Sequence, residues 1–283
     1  MYITMNLLNY YAYSKINLGL QVLNQREDGY HNINTVFCLI NLYDEIDFFP
    51  SDKIEIITTP DLGIKQENNL IYKAGEIFFR EFHVNGGFRA IIKKNIPTGS
   101  GLGGGSSDAS TTVIALNRMY KTAGAFNSLK RIVNQVGSDC TFFLSGYRLA
   151  AATGRGEILR CMHTQLSFNI IIVNPGIPIS TAQTYRLLNR GTEPIEEVDF
   201  TSIINDFANE PAKYNGKIFN DFEEHIFRQH PEIENIKNKL YQIGADFALM
   251  SGSGSTVFGL FKKDITLEEL NEHFPNYFCH ISY

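Results

Sequence analysis

The sequence predicts an α+β fold arranged in two halves. Three observations point to it. Some stretches repeat apolar residues with a helical period, and others alternate them with a period of two. Helices and strands do not follow each other in strict βαβ alternation. A turn-rich stretch at Thr153–Glu157 interrupts the pattern near mid-chain. The expected division is therefore residues 1–152 and 153–283.

Taken in order, Tyr10–Leu23 mixes β-branched, aromatic and alternating apolar positions and reads as strand, as does Ile54–Thr59. Asn69–Phe82 reads as helix, with Leu70, Ala74, Ile77, Phe78 and Phe82 on one face. Phe88, Ala90 and Ile92 alternate with Arg89, Ile91 and Lys93, the signature of a half-buried strand. After a glycine-rich loop, a helix is expected from about Ser107 to Tyr120, and another over Leu129–Val136. Downstream, Phe168–Val173 reads as a strand. Ile233, Ile236, Leu240 and Ile243 mark an amphipathic helix. Phe247–Met250 and Thr256–Phe261 read as strands joined by the turn Ser251–Ser255.

The bulk composition narrows the function. With 43% hydrophobic and 19% charged residues, the chain is globular rather than disordered. A net charge of −5 argues against a nucleic-acid partner, which requires a basic face to displace counterions. Cys38, Cys140, Cys161 and Cys279 have neither zinc-site nor disulfide-framework spacing and suit free thiols in a reducing compartment. The N-terminal stretch lacks the basic start and apolar core of a signal peptide. No apolar run approaches the roughly 20 residues of a membrane helix. The expectation is a cytoplasmic protein with a small-molecule substrate, no nucleic-acid partner and no membrane partner. Nothing in the pattern sets an oligomeric state.

The most informative segment is Pro97-Thr98-Gly99-Ser100-Gly101-Leu102-Gly103-Gly104-Gly105-Ser106-Ser107, between a predicted strand and a predicted helix. Glycines let backbone N–H groups approach an anion and tolerate positive φ. The following helix adds unpaired N–H groups and the positive end of its dipole. Ser106 and Ser107 add hydroxyls, and either can cap that helix. Five glycines within residues 99–105 argue for a phosphate cradle over an ordinary surface loop. The P-loop pattern fails for want of its Lys-Ser/Thr pair. Gly99, Gly101 and Gly104 satisfy G-x-G-x-x-G, but not in the first βα turn that a dinucleotide fold requires.

With this loop in view, the chain resembles the GHMP kinases, whose ATP-binding motif is similar to Pro97–Ser107. Ala12-Tyr13-Ser14-Lys15-Ile16-Asn17-Leu18 resembles that family's first motif, and Met250-Ser251-Gly252-Ser253-Gly254-Ser255 its third. Arg26-Glu27-Asp28-Gly29-Tyr30-His31 resembles a signature of one branch, whose acceptor is the 2-hydroxyl of a cytidine-diphospho-methylerythritol. Val136–Phe143, Gly154–Glu157 and Asn174–Gly176 also resemble segments of that branch, collinearly over nearly the whole chain. Thr141 stands where many of those relatives carry proline.

The resemblance implies an N-terminal α/β nucleotide domain, a C-terminal ferredoxin-like domain and an active site between them. It implies ATP with Mg²⁺, and a step in the non-mevalonate route to isoprenoids. Lys15 and Asp139 match the family's catalytic pair: Asp139 would orient the attacking hydroxyl, and Lys15 would keep it ionised and stabilise developing charge. Taken alone, Asp139 suits a turn acid and Lys15 a solvated strand lysine. Tyr30, His31 and Tyr185 match the cytosine site, although Tyr185 also suits an ordinary helix start. Thr181 and Asn17 match acceptor contacts, and Asn69 and Lys94 match the adenine pocket. No protein ligand for the metal is identifiable; it can bind through phosphate oxygens, water and Ser107. A mevalonate, homoserine or sugar kinase of the same family is disfavoured by Asp28–His31, since those acceptors offer no pyrimidine to stack. A catalytically silent family member is disfavoured by Lys15 and Asp139 together.

Overall fold

Two long strands each contribute residues to both of the chain's compact units. The structure, a computed structural model, describes residues 7–282. The first six residues of the N-terminal stretch read above for a leader lie outside the described residues. The first unit takes in the chain up to Ser14, Leu42–Ile96 and Gly103–Gly146; the second takes in Lys15–Asn41, Pro97–Leu102 and the chain from Tyr147 onward. Strands β1 (Leu8–Gln25) and β2 (His31–Ser51) pair with each other and contribute residues to both units.

The compact units therefore do not follow a single cut after residue 152. The turn-rich stretch Thr153–Glu157 forms the turn of a hairpin within the second unit, with Thr153 opposite Ile158. Glycines mark sharp turns whether or not a linker follows.

In the first unit, β3 (Glu55–Thr59) runs parallel to β4 (Gly87–Lys93), and β4 pairs antiparallel with the second half of β2, Ile46 opposite Ile92. Helices α1 (Leu70–Phe82), α2 (Gly104–Met119), α3 (Phe126–Val136) and α4 (Cys140–Ser145) complete it. Along β4, Phe88, Ala90 and Ile92 are buried while Arg89, Ile91 and Lys93 face out, as the alternation predicted. The inward residues join Phe48, Phe78, Val113 and Ile132 in one core. Helix α1 begins where expected because the Asn69 carboxamide oxygen accepts from the Ile71 N–H at 2.9 Å. Thr141 occupies the first turn of α4, where an N–H has no intrahelical acceptor; proline is tolerated there for the same reason. Its hydroxyl bonds the Asn134 side chain instead.

In the second unit, β5 (Leu149–Thr153) pairs with the first half of β2, Thr35 opposite Ala152, and β6 (Ile158–Cys161) follows on its other side. Then come β7 (Asn169–Asn174), α5 (Thr181–Leu187), α6 (Phe200–Phe207), α7 (Glu223–Gln229), α8 (Pro231–Gln242), β8 (Phe247–Met250), β9 (Val257–Phe261), α9 (Leu267–His273) and β10 (Phe278–Ser282). The last four strands form an antiparallel sheet in the order β10-β7-β9-β8. A βαββαβ sequence with this order is the ferredoxin-like arrangement. Ile233, Ile236 and Leu240 bury the predicted face of α8 against it. Among the described residues no helix is long and apolar enough to cross a membrane.

Phe88 is fully buried and its ring neighbours Phe48 and Phe79. Phe88→Ala should lower unfolding free energy by about 3–5 kcal/mol, through lost transfer energy plus a cavity, in a denaturant melt. A loss below about 1 kcal/mol would mean that the site collapses freely.

Candidate active site

The residues singled out in the sequence fall into two groups, one in each unit. The first unit contains Asn69, Lys94, Gly103–Ser107 and Asp139; the second contains Lys15, Asn17, Tyr30, His31, Pro97–Leu102, Thr181 and Tyr185.

In the second unit, Lys15 sits in the middle of β1 and is only 3% exposed, so it is not a solvated strand lysine. Its ammonium donates to Asn17 Oδ1 at 2.6 Å and to the Gly101 carbonyl at 3.1 Å, and it lies 5.2 Å from the Phe37 ring centroid. Residues i and i+2 share a face of a strand, which puts Lys15 and Asn17 side by side. Asn17 Nδ2 donates to Thr35 Oγ1 at 2.9 Å, so both ends of the carboxamide are engaged within the protein.

The Gly101 carbonyl also accepts from Ser251 Oγ at 3.0 Å, while the Asn17 N–H donates to that hydroxyl at 3.3 Å and the Thr256 N–H to the Ser100 carbonyl at 3.2 Å. The two glycine turns are thus laced together. Gly101 has φ +78°, and a Cβ there would collide with the Ser251 carbonyl, so only glycine fits. Thr181, which opens α5, bonds the Ser253 hydroxyl at 2.9 Å and so reaches the same turn.

The turn before β2 is built by its own sequence. Asp28 Oδ1 accepts from the Tyr30 N–H at 3.1 Å, Asp28 pairs with Arg26, and Gly29 takes φ +81°. This leaves Tyr30 56% exposed, with the Arg155 guanidinium 4.9 Å from its ring centroid. His31 stacks on Tyr185 with centroids 5.3 Å apart and planes 23° from parallel. Tyr185 is indeed in a helix, α5, and still reaches His31.

In the first unit, α2 starts three residues before the expected Ser107. Gly103, at φ +74°, precedes the helix, and neither Ser106 nor Ser107 caps it. The run of glycines permits the left-handed turn early, so the serines fall inside the first turns. The leading N–H groups of this 16-residue helix have no intrahelical acceptors and, with the dipole, favour an anion. Asp139 immediately precedes α4, and its side chain makes no capping bond to that helix.

Lys94 is buried between two acids. It bonds Asp44 Oδ2 and lies 2.6 Å from Asp108 Oδ2, while Asp44 Oδ1 accepts from the N–H groups of Asn95 at 2.6 Å and Ile96 at 2.9 Å. This cluster ties β2 and the end of β4 to the second turn of α2. Neither acid stood out in the sequence; the available signal was Asp108 within the expected buried length of α2. One ammonium between two carboxylates leaves excess negative charge. Burial pushes the Asp108 carboxyl up to about 7, with Asp44 adding to the rise and Lys94 opposing it. Asp108 Oδ1 has no hydrogen-bond partner among the described residues. Burial lowers the Lys94 pKa less than the two carboxylates raise it, so it ends above its ordinary value. Among the described residues no group of three or more His, Cys, Asp or Glu gathers to hold a metal.

Residues 69–147 match the family model for the GHMP kinases N terminal domain, and residues 206–278 that for the GHMP kinases C terminal domain. The 4-diphosphocytidyl-2-C-methyl-D-erythritol kinase of Thermodesulfovibrio yellowstonii is 38% identical over 276 residues, 95% of each chain. That of Prosthecochloris aestuarii is 40% identical over 264 residues, 92% of this chain and 91% of its own. A crystal structure of 4-(cytidine 5'-diphospho)-2C-methyl-D-erythritol kinase superposes with a TM-score of 0.80 at 29% identity, covering 97% of this chain and 98% of that one. Homoserine kinase from Cytophaga hutchinsonii, 14% identical with a TM-score of 0.64, shares the fold.

Asp108 holds a proton in the folded state that the unfolded chain releases near its ordinary value of 3.8. Its contribution to stability is therefore complete below pH 3.8 and is lost as pH rises towards about 7. Asp108→Asn should gain stability relative to wild type across that interval, read from urea midpoints at several pH values. Parallel curves would show that Asp108 is ionised throughout.

Proposed function

The chain belongs to the GHMP kinases, and on that footing we propose that it transfers the γ-phosphate of ATP to the 2-hydroxyl of 4-diphosphocytidyl-2-C-methyl-D-erythritol. The reaction belongs to the non-mevalonate route to isoprenoid precursors and suits the cytoplasm. The observation that carries the acceptor assignment is the His31–Tyr185 stack beside an exposed Tyr30. It joins residues 154 positions apart into an aromatic, hydrogen-bonding surface suited to a nucleobase. Mevalonate, homoserine or a plain sugar would gain nothing from it.

Phosphoryl transfer demands alignment and charge stabilisation more than covalent chemistry. The α2 N-terminus and the glycines at 99, 101 and 103 suit the polyphosphate. Magnesium enters as part of the nucleotide substrate, bound through phosphate oxygens. Lys15 is held by Asn17 and the Gly101 carbonyl, so its ammonium is preorganised and loses little freedom during reaction. We assign it the stabilisation of developing phosphoryl charge. Asp139 takes the hydroxyl proton. An alcohol is far less acidic than a carboxylic acid, so the proton leaves late and the carboxylate mainly orients the nucleophile. Asn17, engaged with Lys15 and Thr35, acts as a brace for Lys15, and Thr181 reaches the acceptor from the start of α5, beside the turn Ser251–Ser255. Lys94 and Asn69 contribute to the adenine side as parts of the framework around α1 and α2.

Incubation with ATP, magnesium and each candidate acceptor, followed by ADP release, tests the assignment. Turnover of mevalonate or a plain sugar, with no competition by CMP, would move the protein to another branch of the family. Asp139→Asn should keep ATP affinity and lose about 10²–10⁴ in kcat; wild-type kcat would remove Asp139 from the mechanism. Tyr30→Ala should raise acceptor KM by roughly 5- to 150-fold, from a stacking energy of about 1–3 kcal/mol per base, and leave ATP affinity unchanged.

A further inference from the structure

Residues 219–221 run beside β1 in the second unit. The Leu20 N–H donates to the Phe219 carbonyl at 2.8 Å, and the Asp221 N–H donates to the Leu20 carbonyl at 2.9 Å. Asp221 Oδ2 also accepts from the Val22 N–H at 2.7 Å. The backbone of Asn220 is thereby fixed to the strand that carries Lys15 and Asn17.

The Asn220 side chain is 4% exposed and points the other way, into the turn Ser251–Ser255, the third glycine turn by its likeness to the family's third motif. Its Nδ2 donates to the Met250 carbonyl at 2.7 Å and to the Gly252 carbonyl at 2.8 Å, while Oδ1 accepts from the Phe222 N–H at 3.0 Å. Both amide hydrogens and the carbonyl are used. Gly252 adopts φ +57°, a shape with little intrinsic preference that something must hold. Between those two carbonyls lies Ser251, whose hydroxyl bonds Gly101, the same carbonyl that anchors Lys15.

We propose that Asn220 is a positioning residue for phosphoryl transfer: it locks the third glycine turn to β1 and so sets Ser251, Gly101 and the Lys15 ammonium in one register. It touches neither substrate. A carboxamide suits this task because two carbonyls must be faced by two donors on one atom, while a third partner needs an acceptor. Aspartate has the same shape but, when ionised, presents oxygen to both carbonyls. The inference rests on the two glycine turns forming the phosphate side of the nucleotide site.

The test uses Asn220→Ala and Asn220→Asp in the full chain, with a non-hydrolysable ATP analogue and CMP titrated separately by calorimetry and with thermal melts to measure the folded fraction. Both variants should bind the analogue about 10- to 100-fold more weakly per folded molecule, the effect of leaving buried carbonyls without donors. CMP affinity should stay within about twofold of wild type, a difference below the weakest stacking contribution. In Asn220→Asp, analogue affinity relative to wild type should recover as pH falls, because the neutral carboxyl regains one donor. Asn220→Ala should show no such recovery. Unchanged analogue affinity, a loss shared equally by CMP, or pH curves for the two variants that run parallel would each overturn the proposal. If wild-type protein binds the analogue but not CMP, the acceptor assignment fails while the analogue arm still decides the role of Asn220.

Discussion

At Gly101 the backbone of one glycine turn passes so close to the other that no side chain can stand there. Much of the second unit follows from that contact. The Gly101 carbonyl receives both the Lys15 ammonium and the Ser251 hydroxyl, so the strand, the loop after β4 and the turn after β8 meet at a single oxygen atom. A lysine on a strand would ordinarily sweep through many rotamers in water. Here its head group is fixed by two acceptors and an aromatic ring. Preorganised charge of this kind stabilises a transition state with little reorganisation during the reaction.

The first unit solves a different problem with different chemistry. Its buried polar cluster, Asp44, Lys94 and Asp108, holds the α2 N-terminus against the strands through bonds from one ammonium to two carboxyl groups. Desolvating three ionisable groups is costly, and replacing such a cluster with apolar residues is often neutral for stability. What the cluster supplies is geometry. Asp44 binds two successive backbone N–H groups and the Lys94 head group, and Asp108 bonds that same head group from α2. The start of α2 is thereby referenced to the sheet rather than to the glycine loop that precedes it.

Where the sequence was legible, one local rule sufficed. The alternation of Phe88, Ala90 and Ile92, the face of α8 and the Asn69 cap were readable because each depends on near neighbours in the chain. α2 starts three residues before Ser107 because three consecutive glycines let the left-handed turn fall ahead of the serines, which favour capping only by local preference. β2, 21 residues long, escaped notice because Asn34, Thr35, Asn41 and Asp44 interrupt its apolar pattern. Each of those side chains or backbone groups is satisfied by a partner distant in sequence, and no window of a dozen residues contains the reason. The motifs pointed to Lys15, Asn17 and Lys94, but not to the bond from Lys15 to Asn17, nor to the carboxyl groups that hold Lys94.

The two units also differ in the charge of their braces. Around the glycine turns of the second unit, the buried polar side chains that bind backbone or one another are largely amides and hydroxyls: Asn17, Thr35, Asn174, Ser251, Ser255 and Asn220. Asn174, for example, donates to Ser255 and Thr256 and accepts from the Gly176 N–H. A carboxylate brace at this turn, Glu223, accepts from the Met250 N–H and is itself paired with Lys237 at 2.6 Å. Neutral braces are the arrangement expected beside a polyphosphate. A carboxylate in such a position would repel the ligand at short range in a low-dielectric setting, where Coulomb terms are several times stronger than in water. Amides and hydroxyls hold the backbone equally well at no such cost, and two of them, the Asn17 carboxamide and the Ser251 hydroxyl, share the Lys15 ammonium and the Gly101 carbonyl between them.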